Sequence, residues 1–460
     1  MKRSSLFLLS ALLCLLSVGR TAVAADTAVR RPNFIFVISD DQRWDALGVV
    51  QKEQGEKARF PWFESPAMDR LAAEGVRFRN AFVTLSLCSP SRAAFLTGQY
   101  SHLNGVRKNN RGLSGQAVTH ATLLRAAGYR TAYFGKWHMR HQRERPGFDY
   151  SASFIGQGVY QDCPFEIQGT NTPTQGWVDD VSTTLAIDWI RTHHDQPFSL
   201  VLGFKSPHNR RGGENLPDRL RDLYADETSQ PAPNMKTLPI FDAPGPAGSL
   251  TPHRFVANEA HLTYFRHIKG IDENLGRLLA ALDAHGLSED TVVVFTSDNG
   301  YFLGEHNAGD KRALYEESLR IPMLVRYPRL FKPGRVVDGM VLNVDLAPTF
   351  LDLAGLPVPE SMHGRSWKPL AAGRTPDTWR TSFVAHYYKE LGPTPTCVAL
   401  RTADSKLVVY PGHPEWTEVF DLAADPYEMQ NLASGTTLRE ALRKELDTRM
   451  SEIALDMPRR

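Results

Sequence analysis

The feature that most constrains the fold is a set of short apolar runs that each lead directly into polar side chains. Three runs share this pattern: NFIFVIS (33–39) precedes Asp40 and Asp41, TVVVFTS (291–297) precedes Asp298 and Asn299, and FSLVLGF (198–204) precedes Lys205 and His208. Runs of this length that are rich in β-branched and aromatic side chains are typical of buried strands. The sequence therefore predicts strands that deliver polar groups at their carboxyl ends.

Helical patterns separate these strands. The segments ATLLRAAGYR (121–130) and FRHIKGIDENLGRLLAALDAHG (265–286) place apolar side chains at helical spacing. Strands that alternate with helices predict an α/β fold, with a mostly parallel sheet flanked by helices. Such sheets bind ligands beyond the carboxyl ends of their strands. We therefore expect the polar clusters to converge at that edge.

The length of the chain and a change in its pattern predict two domains. Its 460 residues exceed the ~250–300 at which a single core stops growing. We predict a catalytic α/β domain over residues 26–359. After a link rich in Pro and Gly, the segments SFVAHYY (382–388) and CVALRTADSKLVVYP (397–411) indicate short strands, and a helical stretch ends the chain. These predict a smaller α+β domain over residues 360–460.

Residues 1–25 have the layout of a secretory signal peptide. Lys2 and Arg3 precede an apolar run over 6–18, and small residues follow over 22–25. This pattern predicts export, to the periplasm or out of the cell. The run is shorter than the ~20 residues of a spanning helix, so no stable membrane insertion is expected. An N-terminal membrane anchor is the alternative interpretation.

Charge argues against nucleic acid as a partner. Removal of residues 1–25 would take away three basic residues and no acidic ones, so that the 53 basic residues become 50 against 51 acidic residues. A nucleic-acid-binding protein presents a strongly basic surface. The mature chain has no such excess of positive charge.

Cysteine is sparse, and Cys88 stands in the segment CSPSR (88–92), just before a run that predicts a helix. The mature chain would keep Cys88, Cys163 and Cys397, so at least one thiol is unpaired. Cys163 and Cys397 either pair with each other or remain separate thiols. Cys88 is either a small buried side chain or a nucleophile, which would need a base and an orienting group nearby.

Two sets of side chains have the chemistry of a site for an anion. Hard oxygen ligands of the kind that Ca²⁺ and Mg²⁺ prefer are offered by Asp40, Asp41, Asp298 and Asn299. Basic side chains on other segments are Lys136, His138, Lys205, His208 and Lys311. Lys136 and His138 are two residues apart, so an extended segment would place them on the same side. An acid after a strand is otherwise a turn former or helix cap, and a lysine or histidine on a loop is otherwise a solvated surface residue. At one shared site these groups would hold a tetrahedral anion and move protons.

The segment CSPSR resembles the Cys-x-Pro-x-Arg signature of type I sulfatases, and AAFLTG follows it as in that family. Further segments occur in the order that sulfatases have: NFIFVISDDQR, GYRTAYFGKWH, FKSPH, TSDNGYFLGEHN, KRALYEESLRIPMLVRYP and VDLAPTFLDLAGL. The resemblance spans nearly all of the mature chain. It implies the alkaline-phosphatase-like fold and the hydrolysis of sulfate esters.

The resemblance gives Cys88 a role. In sulfatases a maturation enzyme oxidises the signature cysteine to Cα-formylglycine, an aldehyde that hydrates to a geminal diol. Pro90 and Arg92 then belong to the motif that the maturation enzyme reads, and Arg92 also steadies the diol and the bound anion. One Ca²⁺ ion is implied, with the ligands Asp40, Asp41, Asp298 and Asn299.

The resemblance also implies a division of labour among the basic side chains. Lys136, Lys205 and Lys311 would spread the charge that accumulates on the sulfuryl oxygens. One diol oxygen attacks sulfur, while His208, aided by Lys311, protonates the departing alcohol. His138 then takes the proton of the second hydroxyl, so that sulfate leaves and the aldehyde re-forms.

The substrate is predicted from a further likeness. The segments GFDYSASFIGQGVY and WVDDVSTTLAIDWI resemble sulfatases that act on glycans, including N-acetylglucosamine-6-sulfatases. A sulfated carbohydrate is therefore the expected substrate, and the side chains predicted to bind it are His102, Arg107, His306, His386 and Arg401. One alternative is a phosphomonoesterase or phosphonate-ester hydrolase of the same fold, which generally uses a second metal or a Thr/Ser nucleophile. Another is a non-catalytic glycan-binding relative.

Overall fold

A computed structural model of the chain describes residues 31–140, 142–208, 216–242, 258–434 and 436–457. The part from Arg31 to Arg460 forms one compact unit. The predicted signal peptide over residues 1–25 lies outside the described residues. Within the described ranges, no helix is both long enough and apolar enough to cross a membrane.

The strands of the described residues are numbered β1 to β17 in chain order. They are β1 Asn33–Ser39, β2 Val76–Phe78, β3 Ala81–Phe82, β4 Arg130–Lys136, β5 Tyr150–Phe154, β6 Phe165–Ile167, β7 Thr170–Thr172, β8 Phe198–Gly203, β9 Thr291–Ser297, β10 Arg320–Ile321, β11 Met323–Arg326, β12 Arg335–Val337, β13 Val341–Leu342, β14 Ser382–Tyr387, β15 Cys397–Thr402, β16 Ser405–Val409 and β17 Glu418–Asp421.

The α-helices of the same residues are α1 Gly48–Gln54, α2 Pro66–Glu74, α3 Cys88–Thr97, α4 Ser101–Asn104, α5 His120–Ala126, α6 Val178–His193, α7 Asp218–Arg221, α8 Asn258–Ala284, α9 Glu316–Leu319, α10 Leu346–Leu353, α11 Lys368–Ala371 and α12 Thr436–Glu452. The helix predicted after CSPSR is confirmed, and it begins at Cys88 itself.

A ten-stranded sheet in the order β12-β2-β11-β9-β1-β8-β4-β5-β6-β7 forms the centre of the molecule. Its middle, from β9 to β5, is parallel, whereas β11 pairs with β9, and β6 with β5, in the antiparallel sense. The three strands predicted from their apolar runs are confirmed as β1, β8 and β9, and so is the α/β fold. Ser39 of β1 lies opposite Ser297 of β9, so the residues that follow these strands emerge side by side.

Both faces of the large sheet are covered, which explains why its central strands are almost continuously apolar. Phe34 and Phe36 of β1 belong to an apolar cluster that includes side chains of α3, α5 and α10. Ile35 and Val37 point the other way, into a cluster that includes side chains of α2, α6 and α8. The strand period of two therefore divides β1 between two cores.

The C-terminal region contains the expected smaller α+β arrangement. Strands β14 to β17 form an antiparallel sheet, and Val384 and Val398 pack with Leu446 of α12 on one of its faces. Phe383, on the opposite face, belongs to the apolar cluster of the large sheet. The two sheets thus share a core, and the predicted boundary between residues 359 and 360 stays a prediction.

The two cysteines whose pairing the sequence leaves open are separate. Cys163 and Cys397 are both buried, and each is a free thiol. Cys397 begins β15 and joins the apolar cluster on the first face of the large sheet, whereas Cys163 belongs to the cluster on the second. Both behave as small apolar side chains.

Strands β4 and β8 approach each other closely at a pair of glycines next to the polar edge. Gly135 and Gly203 are paired in register, and Gly135 has a φ of +78°. A Cβ atom on Gly135 would lie 2.1 Å from the carbonyl oxygen of Gly203. Glycine is required here both by the left-handed backbone and by the lack of space, and Lys136 follows directly.

We expect Gly135→Ala to destabilise the protein by more than about 3 kcal/mol, since it adds overpacking to an unfavourable φ. Gly169→Ala is the matched control, because Gly169 has a φ of +81° but a Cβ atom added to it would meet nothing within 4 Å. It should lose only about 1–2 kcal/mol. Urea unfolding of both variants measures the difference, and equal losses would show that the close approach of β4 and β8 does not limit stability.

Candidate active site

Four polar side chains meet where β1 and β9 end, as the alignment of the two strands requires. Asp40 and Asp41 follow β1, and Asp298 and Asn299 follow β9. All four are buried. The backbone N–H of Asp41 donates to Oδ1 of Asp298 at 3.1 Å, and Nδ2 of Asn299 donates to Oδ1 of Asp41 at 2.6 Å. The predicted convergence of these groups at the carboxyl edge is therefore present.

Cys88 is the first residue of α3, and the helix start places its thiol against the acidic cluster. Its Sγ atom lies 3.2 Å from Oδ1 of Asp40 and accepts a hydrogen bond from Nζ of Lys311 at 3.0 Å. Arg92 follows one helical turn later on the same face. Its Nη1 atom donates to the backbone oxygen of Lys136 at 2.7 Å. The spacing within CSPSR thus brings the thiol and the guanidinium to the same site.

Each buried carboxylate of the cluster has its own cationic partner. Nζ of Lys136 donates to Oδ2 of Asp40, and Nζ of Lys311 donates to Oδ1 of Asp41. Nε of Arg92 donates to Oδ2 of Asp298 at 2.8 Å. The partners are delivered by β4, by the loop after β9 and by α3 respectively. The site therefore forms only when these elements are all in place.

The environment pushes the pKa values of the three carboxyl groups apart. Burial alone would raise the pKa of Asp40, but Lys136 and other nearby cations hold it well below its usual value. Burial raises the pKa of Asp41 to about 7, although Lys311 opposes the shift. Burial, together with the charge of Asp40, also raises the pKa of Asp298. The negative charges of Asp41 and Asp298 are therefore not fully compensated by the nearby cations of the protein.

The donor set fits a divalent cation. Ligand atoms of Asp40, Asp41, Asp298 and Cys88 all lie within 4.8 Å of one another. Oδ1 of Asn299 is buried and has no hydrogen-bond partner among the described residues, and a buried amide oxygen is costly without one. Three carboxylates and a free amide oxygen are the hard ligands that Ca²⁺ prefers.

Lys205 reaches the same site through a residue that the sequence analysis missed. Its Nζ atom donates to the backbone oxygen of Gln157 at 2.8 Å, and Nζ of Lys136 donates to Oε1 of the same residue at 2.6 Å. Burial, together with the charge of Lys136, lowers the pKa of Lys205 to about 8. Gln157 lies within the segment GFDYSASFIGQGVY, where its one local feature is its position between two glycines.

The two predicted histidines differ in their exposure and in their contacts. Nε2 of His208 is 4.0 Å from Oδ2 of Asp41, and its side chain is 18% exposed. His138 is almost fully buried, and its backbone oxygen accepts a hydrogen bond from Ser89 at 2.5 Å. Burial lowers the pKa of each imidazole well below its usual value, so both rest in the neutral form.

One local expectation about this segment is wrong. The sequence predicts that Lys136 and His138 share an extended segment, but β4 ends at Lys136 and His138 has a φ of +51°. The left-handed residue turns the chain, so alternation along a strand does not decide where the imidazole points. A non-glycine residue in this region is uncommon and carries backbone strain of the kind found at functional sites.

The five side chains predicted to bind substrate lie in other surroundings. Their contacts are a hydrogen bond from His102 to the backbone of Ile453, a cation-π contact of Arg107 with Tyr388, a ring stack of His306 on Tyr315, a hydrogen bond between His386 and Ser101, and an ion pair of Arg401 with Glu316. His306, His386 and Arg401 are buried. Within the described part of the chain, none of the five pairs with the cluster around Cys88. The substrate role of these five side chains stays a prediction, and His306 also contributes to the wall of a cavity beside the loop that carries Lys311.

A cavity of about 390 Å³ lies beside the loop that carries Lys311. Asp310 and Arg312, the two neighbours of Lys311, contribute to its wall together with Phe241 and Phe302. Both carboxylate oxygens of Asp310 accept from Nη1 of Arg312 at 2.7 Å. Neither residue stands out in the sequence, because a charged residue beside a lysine in a loop is typical of ordinary surface.

Comparison with known proteins agrees with this arrangement. The chain matches the family model described as Sulfatase over residues 32–356 and the model described as N-sulphoglucosamine sulphohydrolase, C-terminal, over residues 304–456. It is 32% identical to the N-acetylglucosamine-6-O-sulfatase of Bacteroides thetaiotaomicron, over 91% of this chain and 86% of that protein. It is 30% identical to an ulvan-active sulfatase of Formosa agariphila, over 92% and 81%.

One solved structure is similar to this chain over nearly its whole length. The chain is similar, with a TM-score of 0.81 and 29% identity, to a protein in complex with its substrate D-glucosamine-2-N,6-O-disulfate, and the match covers 92% of this chain and 98% of that one. The sulfatase family model spans every residue of the acidic cluster, Cys88 and the three lysines. This chain therefore belongs to the sulfatase family.

Proposed function

We propose that this sulfatase hydrolyses sulfate esters of a sulfated glycan or oligosaccharide, with Cys88 converted to Cα-formylglycine and one Ca²⁺ ion held by the acidic cluster. The observation that carries the proposal is the position of Cys88. It begins α3 within hydrogen-bond distance of both Asp40 and Lys311. Whatever group stands at residue 88 is thus flanked by a candidate metal ligand and by a cation suited to sulfate oxygens.

A free thiol at this position is a poor nucleophile. Burial, with the charge of Asp40, raises the pKa of the Cys88 thiol, and only the thiolate attacks efficiently. Modification by a formylglycine-generating maturation enzyme removes this difficulty. When present, the hydrated formylglycine supplies one hydroxyl to attack sulfur and a second whose deprotonation releases sulfate. Arg92 and Lys311 border this position and can orient those hydroxyls.

The proposed ligands of the ion are Asp40, Asp41, Asp298 and Asn299. When bound, Ca²⁺ supplies positive charge that polarises the sulfate ester and favours the anionic form of the attacking hydroxyl. The orphan Oδ1 of Asn299 and the raised pKa values of Asp41 and Asp298 support this assignment. A divalent cation would give Oδ1 of Asn299 a partner, and it would offset the repulsion between the carboxylates of Asp41 and Asp298.

The remaining side chains have different proposed roles, which follow from their positions. Lys136, Lys205 and Lys311 offer N–H donors to the sulfuryl oxygens, where negative charge accumulates. We assign the protonation of the departing alcohol to His208, which is partly exposed, since an anionic ester beside it favours the charged imidazole. We assign to His138, which is buried, the acceptance of a proton from residue 88.

The case for a glycan rests on the relatives and on the cavity beside Lys311. One relative is an N-acetylglucosamine-6-O-sulfatase and another is ulvan-active, and the solved neighbour binds a glucosamine disulfate. In this chain, Asp310 and Arg312 present acceptors and donors side by side in the cavity wall. Such a pair suits neighbouring hydroxyl groups of a sugar. Phe241 and Phe302 add apolar surface.

The proposed location is outside the cytoplasm, in the periplasm or beyond. The positively charged start, the apolar run over 6–18 and the small residues over 22–25 support export through a signal peptide. Export would place the enzyme where polymeric glycans are found.

The function is tested by release of inorganic sulfate from a panel of sulfated saccharides that includes glucosamine 6-sulfates, with phosphate monoesters and phosphonate esters as a second panel. We expect turnover on sulfated saccharides by matured protein and none by Cys88→Ala. The peptide that contains residue 88 should weigh about 18 Da less than its thiol form. Faster hydrolysis of phosphate or phosphonate esters, binding of sulfated glycans without hydrolysis, or full activity from unmodified Cys88, would contradict the proposal.

The metal assignment predicts that Asp40→Ala and Asp298→Ala each abolish turnover and lower the Ca²⁺ content per chain, because each removes a charged ligand. Asp45→Asn is the control, since Asp45 is a buried acid in the same loop that pairs with Arg43 instead. It should keep the ion. Elemental analysis after dialysis measures the content, and an active Asp40→Ala protein without metal would refute the assignment.

The two histidines should respond differently to the leaving group. General-acid assistance is worth roughly 10²–10⁴ in rate for a poor leaving group. His208→Ala should therefore be slow on a sugar sulfate but tolerant of 4-nitrophenyl sulfate, whose phenolate leaves unaided. His138→Ala should be slow on both. The kcat values are compared at matched metal content and matched modification of Cys88, and an equal loss by His208→Ala on both substrates would refute the division.

A further inference from the structure

Gln157 contacts both of the lysines that lie on the β4 and β8 side of the site. Its side-chain Oε1 accepts from Nζ of Lys136 at 2.6 Å, and its backbone oxygen accepts from Nζ of Lys205 at 2.8 Å. Lys136 is fully buried and Lys205 is 4% exposed. A single uncharged residue therefore binds two ammonium groups that otherwise repel each other.

The contact with Lys136 has a geometric consequence. An ammonium group has three N–H donors that diverge at tetrahedral angles. Asp40 takes one donor of Lys136 and Gln157 takes a second. The Cε–Nζ bond and these two contacts leave one N–H direction for another group. Without Gln157 a second donor would be open, and Asp40 alone would hold the end of the Lys136 side chain.

The lack of charge on the two oxygens of Gln157 matters as much as their positions. Asp40 already neutralises Lys136, whereas a carbonyl oxygen holds Lys205 without cancelling its charge. Lys205 Nζ also lies 4.7 Å from the centre of the Tyr160 ring, which is a second uncharged contact. Among the described residues Lys205 forms no direct ion pair with a carboxylate, so its ammonium group is held in position while its charge stays available to an anion.

The loop around Gln157 is fixed at both ends. Gly156 and Gly158 have φ values of +64° and +61°, and a Cβ on Gly158 would lie 2.5 Å from the ring of Phe154. Tyr160 donates from its hydroxyl to the backbone oxygen of His208 at 2.7 Å. The glycines allow the tight turn that presents both oxygens of Gln157 to the lysines, and Tyr160 fixes that turn beside His208.

We infer that Gln157 is a positioning residue for the reaction. Its side chain orients the ammonium group of Lys136, and its backbone oxygen holds Lys205 without neutralising its charge, so that both lysines donate to the sulfate group. This inference rests on the proposed sulfatase function and adds to it a residue outside the charged set. It also explains the choice of an amide, because a carboxylate of the same length would pair with the ammonium group of Lys136 and compete with the sulfate group for it.

The test compares Gln157→Met, which keeps the length but loses the strong acceptor, with Gln157→Glu, which keeps the acceptor and adds a charge. Gln157→Met should lower kcat roughly 10- to 100-fold, because Lys136 is misaimed, with a smaller change in KM. Gln157→Glu should chiefly raise KM and weaken inhibition by inorganic sulfate. Gln157→Asn, whose side chain is one carbon shorter, should resemble Gln157→Met. It replaces Gln157→Met in the test if that variant does not fold.

Val159→Ala is the matched control, since Val159 lies on the same loop and is 54% exposed. It should stay within about twofold of the parent protein. A second measurement does not depend on turnover: inorganic sulfate should raise the melting temperature of the parent and of Val159→Ala, and should do so less in Gln157→Met and least in Gln157→Glu. Sulfate stabilisation and kinetics equal to the parent in Gln157→Met would overturn the inference. Absence of hydrolysis by the parent, with normal sulfate stabilisation, would overturn the proposed function instead.

Discussion

The pairing of three buried carboxylates with three cations from different elements is the constraint on which the rest of the site depends. Asp40 and Asp298 emerge side by side because β1 and β9 are parallel neighbours in register. Each needs a partner, since a buried charge left alone costs about 3–5 kcal/mol. Lys136 comes from β4 and Arg92 from α3. The sheet order and the docking of α3 are therefore coupled to the charge balance of the site, and Cys88 is positioned by the same docking.

The charges of this site favour the binding of an anion. Lys205 is a fourth cation, and it is held by carbonyl and aromatic groups rather than by an acid of the cluster. Burial and the neighbouring Lys136 lower its pKa to about 8, although Asp40 and Asp179 oppose the shift. A divalent ion held by Asp40, Asp41 and Asp298 would add further positive charge to the site, which also favours an anion.

Prediction from sequence succeeded where a regular element fixes the outcome. The strands before Asp40 and Asp298 are apolar runs of ordinary length, and their parallel arrangement brings the acids together. It failed at His138, because one left-handed residue breaks the alternation that a strand would impose. It missed Gln157, because an uncharged side chain in a glycine-flanked loop gives no signal until the lysines are placed around it. The burial of His386 could not be predicted either, because a histidine in a sequence gives no sign of the packing around it.

The C-terminal sheet supports the active site. The loop after β9 carries Lys311, and α9 follows it directly. Tyr315, just before α9, donates from its hydroxyl to Glu418 of β17 at 2.8 Å, and Glu316 of α9 pairs with Lys406 of β16 at 2.9 Å. These buried contacts fix the far end of the loop against the smaller sheet. The position of Lys311 relative to Cys88 therefore depends on residues about 100 positions further along the chain, which gives a physical reason for the core that the two sheets share.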